Sequence, residues 1–287
     1  MSELVRALAV LAEPPGSEQA RLGRLLGLDG IPDPAEYTEV FALQLYPYAS
    51  VYLGAEGMLG GDARDRVAGF WRALHRAPPA EPDHLTALLG LYAALGEHAR
   101  GEPDPPRRLM GRLSREAFLW EHLASWLFPY LDKLRDVAPP FYRSWGALLA
   151  ETLTAEIEGA GPPGALPLHL RLAPPLPDPR VDGAEAFTSG LLSPVRSGMV
   201  LTRADLARAA HSLELGLRMG ERRFILAALL SQDPGGTLGW LAGEALAWVS
   251  RHEAHQTVTG HVALFWAGRA AATAALLDAV RPGGAPP

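Results

Sequence analysis

Residues 114–136 read SREAFLWEHLASWLFPYLDKLRD. Within them Leu119, Leu123, Trp126, Leu127, Tyr130 and Leu134 recur at spacings of three and four, which places them on one face of a helix. Pro129 has no amide to give to the Ser125 carbonyl, so the stretch predicts a long helix with a kink or a break at that point. The same periodicity extends in both directions. Upstream, Asp62 stands where an N-cap would precede the apolar face of Val67, Phe70, Trp71 and Leu74 in 62–75. In 82–99 Pro82 suits a first helical turn, and His84 opens a stripe that continues through Leu88, Leu91, Tyr92 and Leu95. Downstream, Thr202 caps a helix over 203–215, and further helices are expected over 221–231, 238–252 and 260–280. No stretch shows the sustained alternation with β-branched residues that half-buried strands require, so the expectation is an all-α helical bundle.

Two proline-rich runs punctuate this pattern, 101–107 (GEPDPPR) and 159–183 (GAGPPGALPLHLRLAPPLPDPRVDG). Repeated prolines remove backbone donors and favour extended chain, and the longer run makes the better boundary. The organisation expected is therefore a helical core over 1–160, a linker over 161–183 and a C-terminal helical block over 184–287. Apolar side chains in that block, among them Phe224, Trp240, Trp248 and Trp266, are more than short helices bury among themselves, so the block is expected to pack on the core. No repeat of fixed period suggests a solenoid.

Composition narrows the function classes. The 287 residues are 48% hydrophobic, enough for a sizeable core and unlike a disordered chain. Lys and Arg number 26 against 32 Asp and Glu, a net charge of -6, which lacks the basic footprint of a nucleic-acid binder. Cysteine is absent, which removes disulfides, thiolate metal sites and cysteine nucleophiles. The N-terminal apolar run contains Glu3 and Arg6 and does not read as a secretion signal, and no 18 consecutive apolar residues occur free of charge. The expectation is a soluble cytoplasmic protein without an integral membrane span.

Candidate chemistry is sparse. Gly-rich phosphate loops, the dinucleotide fingerprint and the nucleophile elbow are all missing. His252, His255 and His261 offer the nearest approach to a metal cluster, with spacing that does not match the usual zinc pattern. Arg196, Ser197 and Gly198 precede the Thr202-capped helix in a loop that suits either a phosphate or a plain connector. The cluster Glu81-Pro82-Asp83-His84 heads an otherwise apolar helix. Asp83 there reads either as a first-turn carboxylate, worth about 0.3 to 2 kcal/mol, or as a ligand contact. His84 must find a hydrogen-bond partner or lie at a groove mouth. Aromatic residues crowd Tyr48, Tyr52 and Trp126, with His122 close by, and such density belongs to cores or to recognition surfaces.

Taken in order, PYASVY (47–52), GDARDRVAGFWRAL (61–74), EPDHL (81–85), EHLASWL (121–127) and FYRSW (141–145) resemble the TorD/DmsD-like chaperones over about Phe41 to Glu158. The resemblance implies an all-helical cytoplasmic chaperone, not an enzyme. It would hold the twin-arginine signal peptide or apoprotein of a molybdenum-cofactor oxidoreductase until cofactor insertion and export. It also implies that Asp83 and His84 contact the client peptide with Glu81 and Pro82 shaping the turn, and that Tyr48, Tyr52, Trp71, His122 and Trp126 complete the contact set. No catalytic residue, metal or cofactor follows from it, and the partner is the catalytic subunit of that oxidoreductase, met by a monomer or dimer. Two alternatives remain at this stage. One is a helical metal-dependent enzyme using His252, His255 and His261; the other is an assembly factor resembling the delta-type subunits of nitrate reductases, against which the intact EPDHL argues. Over 100 residues beyond the resemblance are left without a role.

Overall fold

The computed structural model describes residues 2–282; Met1 and residues 283–287, the extreme ends of the expected core and C-terminal block, lie outside them. The chain is all-α, and no strand occurs among the described residues. It divides into two compact units, 1–50 with 59–169, and 51–58 with 170–287.

The first unit begins with α1 (Ser2–Val10), α2 (Ser17–Leu25) and the short α3 (Pro34–Tyr37), which widens into a π-helical turn over Thr38–Gln44. Then come the start of α4 (Ala49–Leu53), α5 (Gly61–Ala73), α6 (Leu85–Gly101) and α7 (Pro105–Phe118). A second π-helical turn over Leu119–Ala124 leads to α8 (Leu127–Val137) and α9 (Pro140–Ala160). Prolines decide several of these boundaries. Pro105 and Pro106 start α7, where their missing amides cost nothing, so only part of the 101–107 run interrupts the helices. The long helix expected over 114–136 breaks at Ser125 and Trp126, and Pro129 falls in the first turn of α8, the position a helix tolerates. Likewise α6 starts at Leu85 and leaves Pro82 outside it.

Packing in this unit is aromatic. Phe41 meets Tyr142 edge to face at 5.0 Å and Trp145 at 5.9 Å, and the Trp145 indole donates to the Leu8 carbonyl at 3.1 Å, tying α9 to α1. On the other side, α6, α7 and α9 meet around a buried polar cluster. Glu156 accepts from Arg115 at 2.6 Å and from the Tyr92 hydroxyl at 2.8 Å, while the Arg115 guanidinium lies 4.1 Å from the centroid of the Tyr92 ring. Gly96 makes that approach possible, since a Cβ there would stand 2.8 Å from Ser2 Oγ and 2.9 Å from Arg115 Nε.

The second unit contains most of α10 (Leu168–Leu172), α11 (Ala184–Leu191), α12 (Pro194–Ser197), α13 (Arg203–Ser212), α14 (Arg222–Gln232), α15 (Pro234–Ala254), α16 (Gln256–Thr259) and α17 (His261–Val280). Thr202 caps α13 as its sequence suggests, and Asp205 completes a reciprocal capping box. α15 and α17 form the core pair, burying Trp248 and Trp266. α17 is long and apolar enough to cross a membrane, with 20 residues and a mean hydropathy of 1.3. Trp266, Ala270, Ala274 and Leu277 are nevertheless buried, as in a core helix.

Candidate functional site

The EPDH cluster and the PYASVY segment, 33 residues apart, are locked edge to edge. The Ala49 amide donates to the Asp83 carbonyl at 3.0 Å and the Leu85 amide to the Pro47 carbonyl at 2.8 Å, an antiparallel bridge between Tyr48 and His84. Asp83 is 2% exposed, and its carboxylate accepts from the Ser50 amide at 3.2 Å, so it satisfies the start of α4 and not its own helix. His84 caps α6 instead, its Nδ1 accepting from the Thr86 amide at 3.2 Å. Asp83, which the sequence leaves open between a first-turn carboxylate and a client contact, is thus a cap delivered to a different helix.

The outer edge of this clamp carries different side chains. Glu81 is exposed and accepts from the Tyr48 hydroxyl at 2.8 Å. The Tyr48 ring stands edge-on to the His84 imidazole with centroids 4.8 Å apart, and both residues are half-buried. Burial raises the Tyr48 phenol pKa, and the hydrogen bond to Glu81 raises it further. His84 is lowered by burial, against the opposing pull of Glu81 and Asp83. Both groups therefore stay neutral at physiological pH, and Glu81 is the charge presented outward. Arg64, on α5, donates to the Ala80 carbonyl at 3.0 Å and steadies the approach to Glu81.

The remaining expected contacts are placed elsewhere. Tyr52 falls in the second unit and is 2% exposed. Trp126 is fully buried, its indole donating to the His122 carbonyl at 2.9 Å, and Pro82 is buried too. Trp71 is half-buried on α5. His122 is 6% exposed, packed against the rings of Phe70 and Phe118, and its Nδ1 has no partner. Opposite it stands His169, also 6% exposed, with ring centroids 6.3 Å apart and Arg66 Nη1 3.5 Å from its Nδ1. The 161–169 segment is fastened to the same turn: the Trp120 indole donates to the Gly161 carbonyl at 3.2 Å and the Leu168 amide to Glu121 at 2.8 Å. Sequence reading missed Ser50 and His169, because neither belongs to a periodic pattern and each acquires its meaning from a partner far along the chain.

In the second unit, Arg196, Ser197 and Gly198 do not form an open loop. Arg196 and Ser197 lie in α12, and the Arg196 guanidinium donates to the Ala55 carbonyl at 2.7 Å and the Pro175 carbonyl at 3.3 Å. Gly198 has φ 72° and lies so close to α17 that a Cβ would stand 2.3 Å from the Ala270 amide nitrogen. His252 is 2% exposed, between Trp248 and Trp266, with its Nε2 2.8 Å from the Gly198 carbonyl oxygen. Among the described residues no three His, Asp or Glu side chains converge as metal ligands, so the grouping of His252, His255 and His261 suggested by their spacing does not form. Helix packing turns His252 into the core, away from its sequence neighbours.

Comparison with known proteins matches residues 34–131 to the family described as nitrate reductase delta subunit, and no curated protein matches the chain. The matched stretch runs from α3 into α8 and contains the whole Tyr48–His84 clamp. Over residues 34–131 the chain is therefore similar to the nitrate reductase delta subunit family, consistent with a TorD-like redox enzyme maturation protein.

Proposed function

We propose that this protein is a cytoplasmic chaperone that binds the twin-arginine signal peptide of a molybdenum-cofactor oxidoreductase and holds its apoprotein until the cofactor is inserted. The family supports an assembly role toward a molybdoenzyme. The observation that carries the finer reading is the clamp, in which an exposed carboxylate, Glu81, is held by Tyr48 beside half-buried aromatic rings. A guanidinium pairs with such a carboxylate in a charge-assisted hydrogen bond, while the adjoining apolar residues of the client lie on the rings. An exposed pair contributes only about 0.2 to 1 kcal/mol, so apolar burial supplies most of the affinity and release stays possible. In this reading Glu81 touches the client, and Asp83 is a positioning residue that fixes the edge on which Glu81 stands.

The two roles separate by substitution. Asp83→Ala strips the Ser50 amide of a buried charged acceptor and is expected to cost about 1 to 3 kcal/mol of stability. Glu81→Gln leaves the melting temperature within a degree or so of the parent, as an exposed change should, and weakens peptide binding. Thermal melts and peptide titrations on the same preparations check both, and a stability loss in Glu81→Gln as large as in Asp83→Ala would refute the division.

The family's description, nitrate reductase delta subunit, is compatible with a second reading, a delta-type assembly factor; in that reading we place the client contact on the body of the apoprotein and not on its leader. Co-purification with co-expressed molybdoenzyme catalytic subunits, with and without their signal peptides, distinguishes them. Capture that depends on the leader supports the proposal; capture unaffected by its deletion favours the delta-type reading.

A further inference from the structure

We infer that α7 is a docking surface for an anionic membrane surface. The helix packs inward through Phe118 and through Gly111, where a Cβ would lie 3.3 Å from that of Ala99. Its outward side is apolar: Leu109, Met110 and Leu113 are 46%, 61% and 48% exposed. At 100° per residue Leu109 and Leu113 stand side by side, with Met110 on one flank and Arg108 and Arg112 on the other, and the half-buried Glu116 falls between Leu109 and Arg112 at the C-terminal end of the strip. Both arginines are exposed. An apolar strip bordered by cations is the pattern of helices that lie in a lipid interface, side chains in the acyl boundary and guanidinium groups at the phosphates.

Local folding accounts for these residues only in part: the Arg108 guanidinium donates to the Pro103 carbonyl at 3.4 Å, and Arg107 Nε lies 3.9 Å from the Asp104 carboxylate. The positive end of a helix dipole favours carboxylates in the first turn, yet α7 has none there and carries Arg107 and Arg108. Asp104 accepts from the Arg107 amide as well as facing its guanidinium, and Glu102 accepts from the Asp104 amide, so neither carboxylate offsets Arg112. Arg115, by contrast, faces inward to Glu156 and has no part in the surface. The chain as a whole is acidic, with a net charge of -6, so Arg107, Arg108 and Arg112 make this side of α7 a local exception to the overall sign. That complementarity, together with exposed apolar side chains lying along one side of a single helix, selects a lipid surface as occupant. The inference does not depend on the identity of the client.

Sedimentation of the full chain with vesicles tests it, using phosphatidylcholine alone and phosphatidylcholine mixed with phosphatidylglycerol. Binding is expected only to the mixed vesicles, and to fall as salt is raised. Each arginine at such a surface is worth about a fivefold change in partition, so Arg108→Gln with Arg112→Gln together lower it about 25-fold. Leu109→Ser with Leu113→Ser lowers it as well. All four positions are exposed, and unchanged melting temperatures confirm that the variants fold. Absence of binding by the parent, or equal binding by the arginine variant, overturns the inference. Retention of the parent on an acidic protein surface, with none on the mixed vesicles, overturns it in favour of a protein partner.

Discussion

Glu156→Ala is expected to lose about 3 to 5 kcal/mol of stability, the range for removing one partner of a buried ion pair. Glu156 is 8% exposed and is the common acceptor for Arg115 and Tyr92, so its removal leaves a guanidinium with 23% side-chain exposure and a buried phenol without their acceptor. Glu156→Gln keeps an acceptor and should cost less. Denaturant unfolding of the two variants measures this directly; a loss below about 1 kcal/mol in Glu156→Ala would mean that the pair behaves as a solvated surface bridge. The consequence reaches the clamp, because the cluster joins α6 to α7 and α9, and His84 stands at the head of α6.

Acidification is expected to remove a further part of the stability through His122 and His169. Burial, followed by the neighbouring charges of His169 and Arg66, pushes His122 down to about 3. Burial and Arg66 push His169 down to about 4, with Asp62 opposing. In the unfolded chain both titrate near the ordinary value of about 6.5. Between these limits the unfolded state binds more protons, so the contribution is full above about pH 6.5 and is lost as pH falls toward the folded values. Moving from pH 7 to pH 5 costs about 1 to 2 kcal/mol for each histidine, or about 2 to 4 kcal/mol for the pair. His84, lowered in the same direction, adds to the trend. Unfolding free energies at both pH values provide the check, together with His122→Phe, which should flatten the dependence. Equal pH dependence in parent and variant would show that His122 is not buried neutral. The first structure to loosen on protonation is the 161–169 segment, which carries His169 and is held at its ends by Trp120 and Glu121.

Periodicity made the helices legible because each depends on neighbours three and four residues away. The stripes of 62–75 and 82–99 appear as α5 and α6, and the difficulty with Pro129 appears as the break before α8. The ends of helices were less legible. Pro82 suits a first turn by its own chemistry, but 81–84 closes as a separate turn, the His84 amide donating to the Glu81 carbonyl at 3.2 Å, and the bridge to Pro47 and Ala49 moves the helix start to Leu85. The candidate site was legible as a list of residues and not as a geometry. Nothing near Asp83 in sequence indicates that its acceptor oxygen goes to Ser50, and nothing near His122 indicates a second imidazole 47 positions later. Arg196 and His252 were attractive as isolated polar residues for the same reason; each is committed to a backbone carbonyl supplied by a remote segment.

Calorimetric titration of twin-arginine signal peptides from the molybdoenzyme catalytic subunits of the source organism into the parent protein and into Glu81→Gln is the most direct test of the clamp as a client site. The account predicts saturable binding by the parent, a several-fold weaker affinity for Glu81→Gln at unchanged melting temperature, and loss of the same increment when the two peptide arginines are replaced by glutamine. Binding that is absent in the parent at high micromolar peptide, or indifferent to Glu81 and to the arginines, would contradict it.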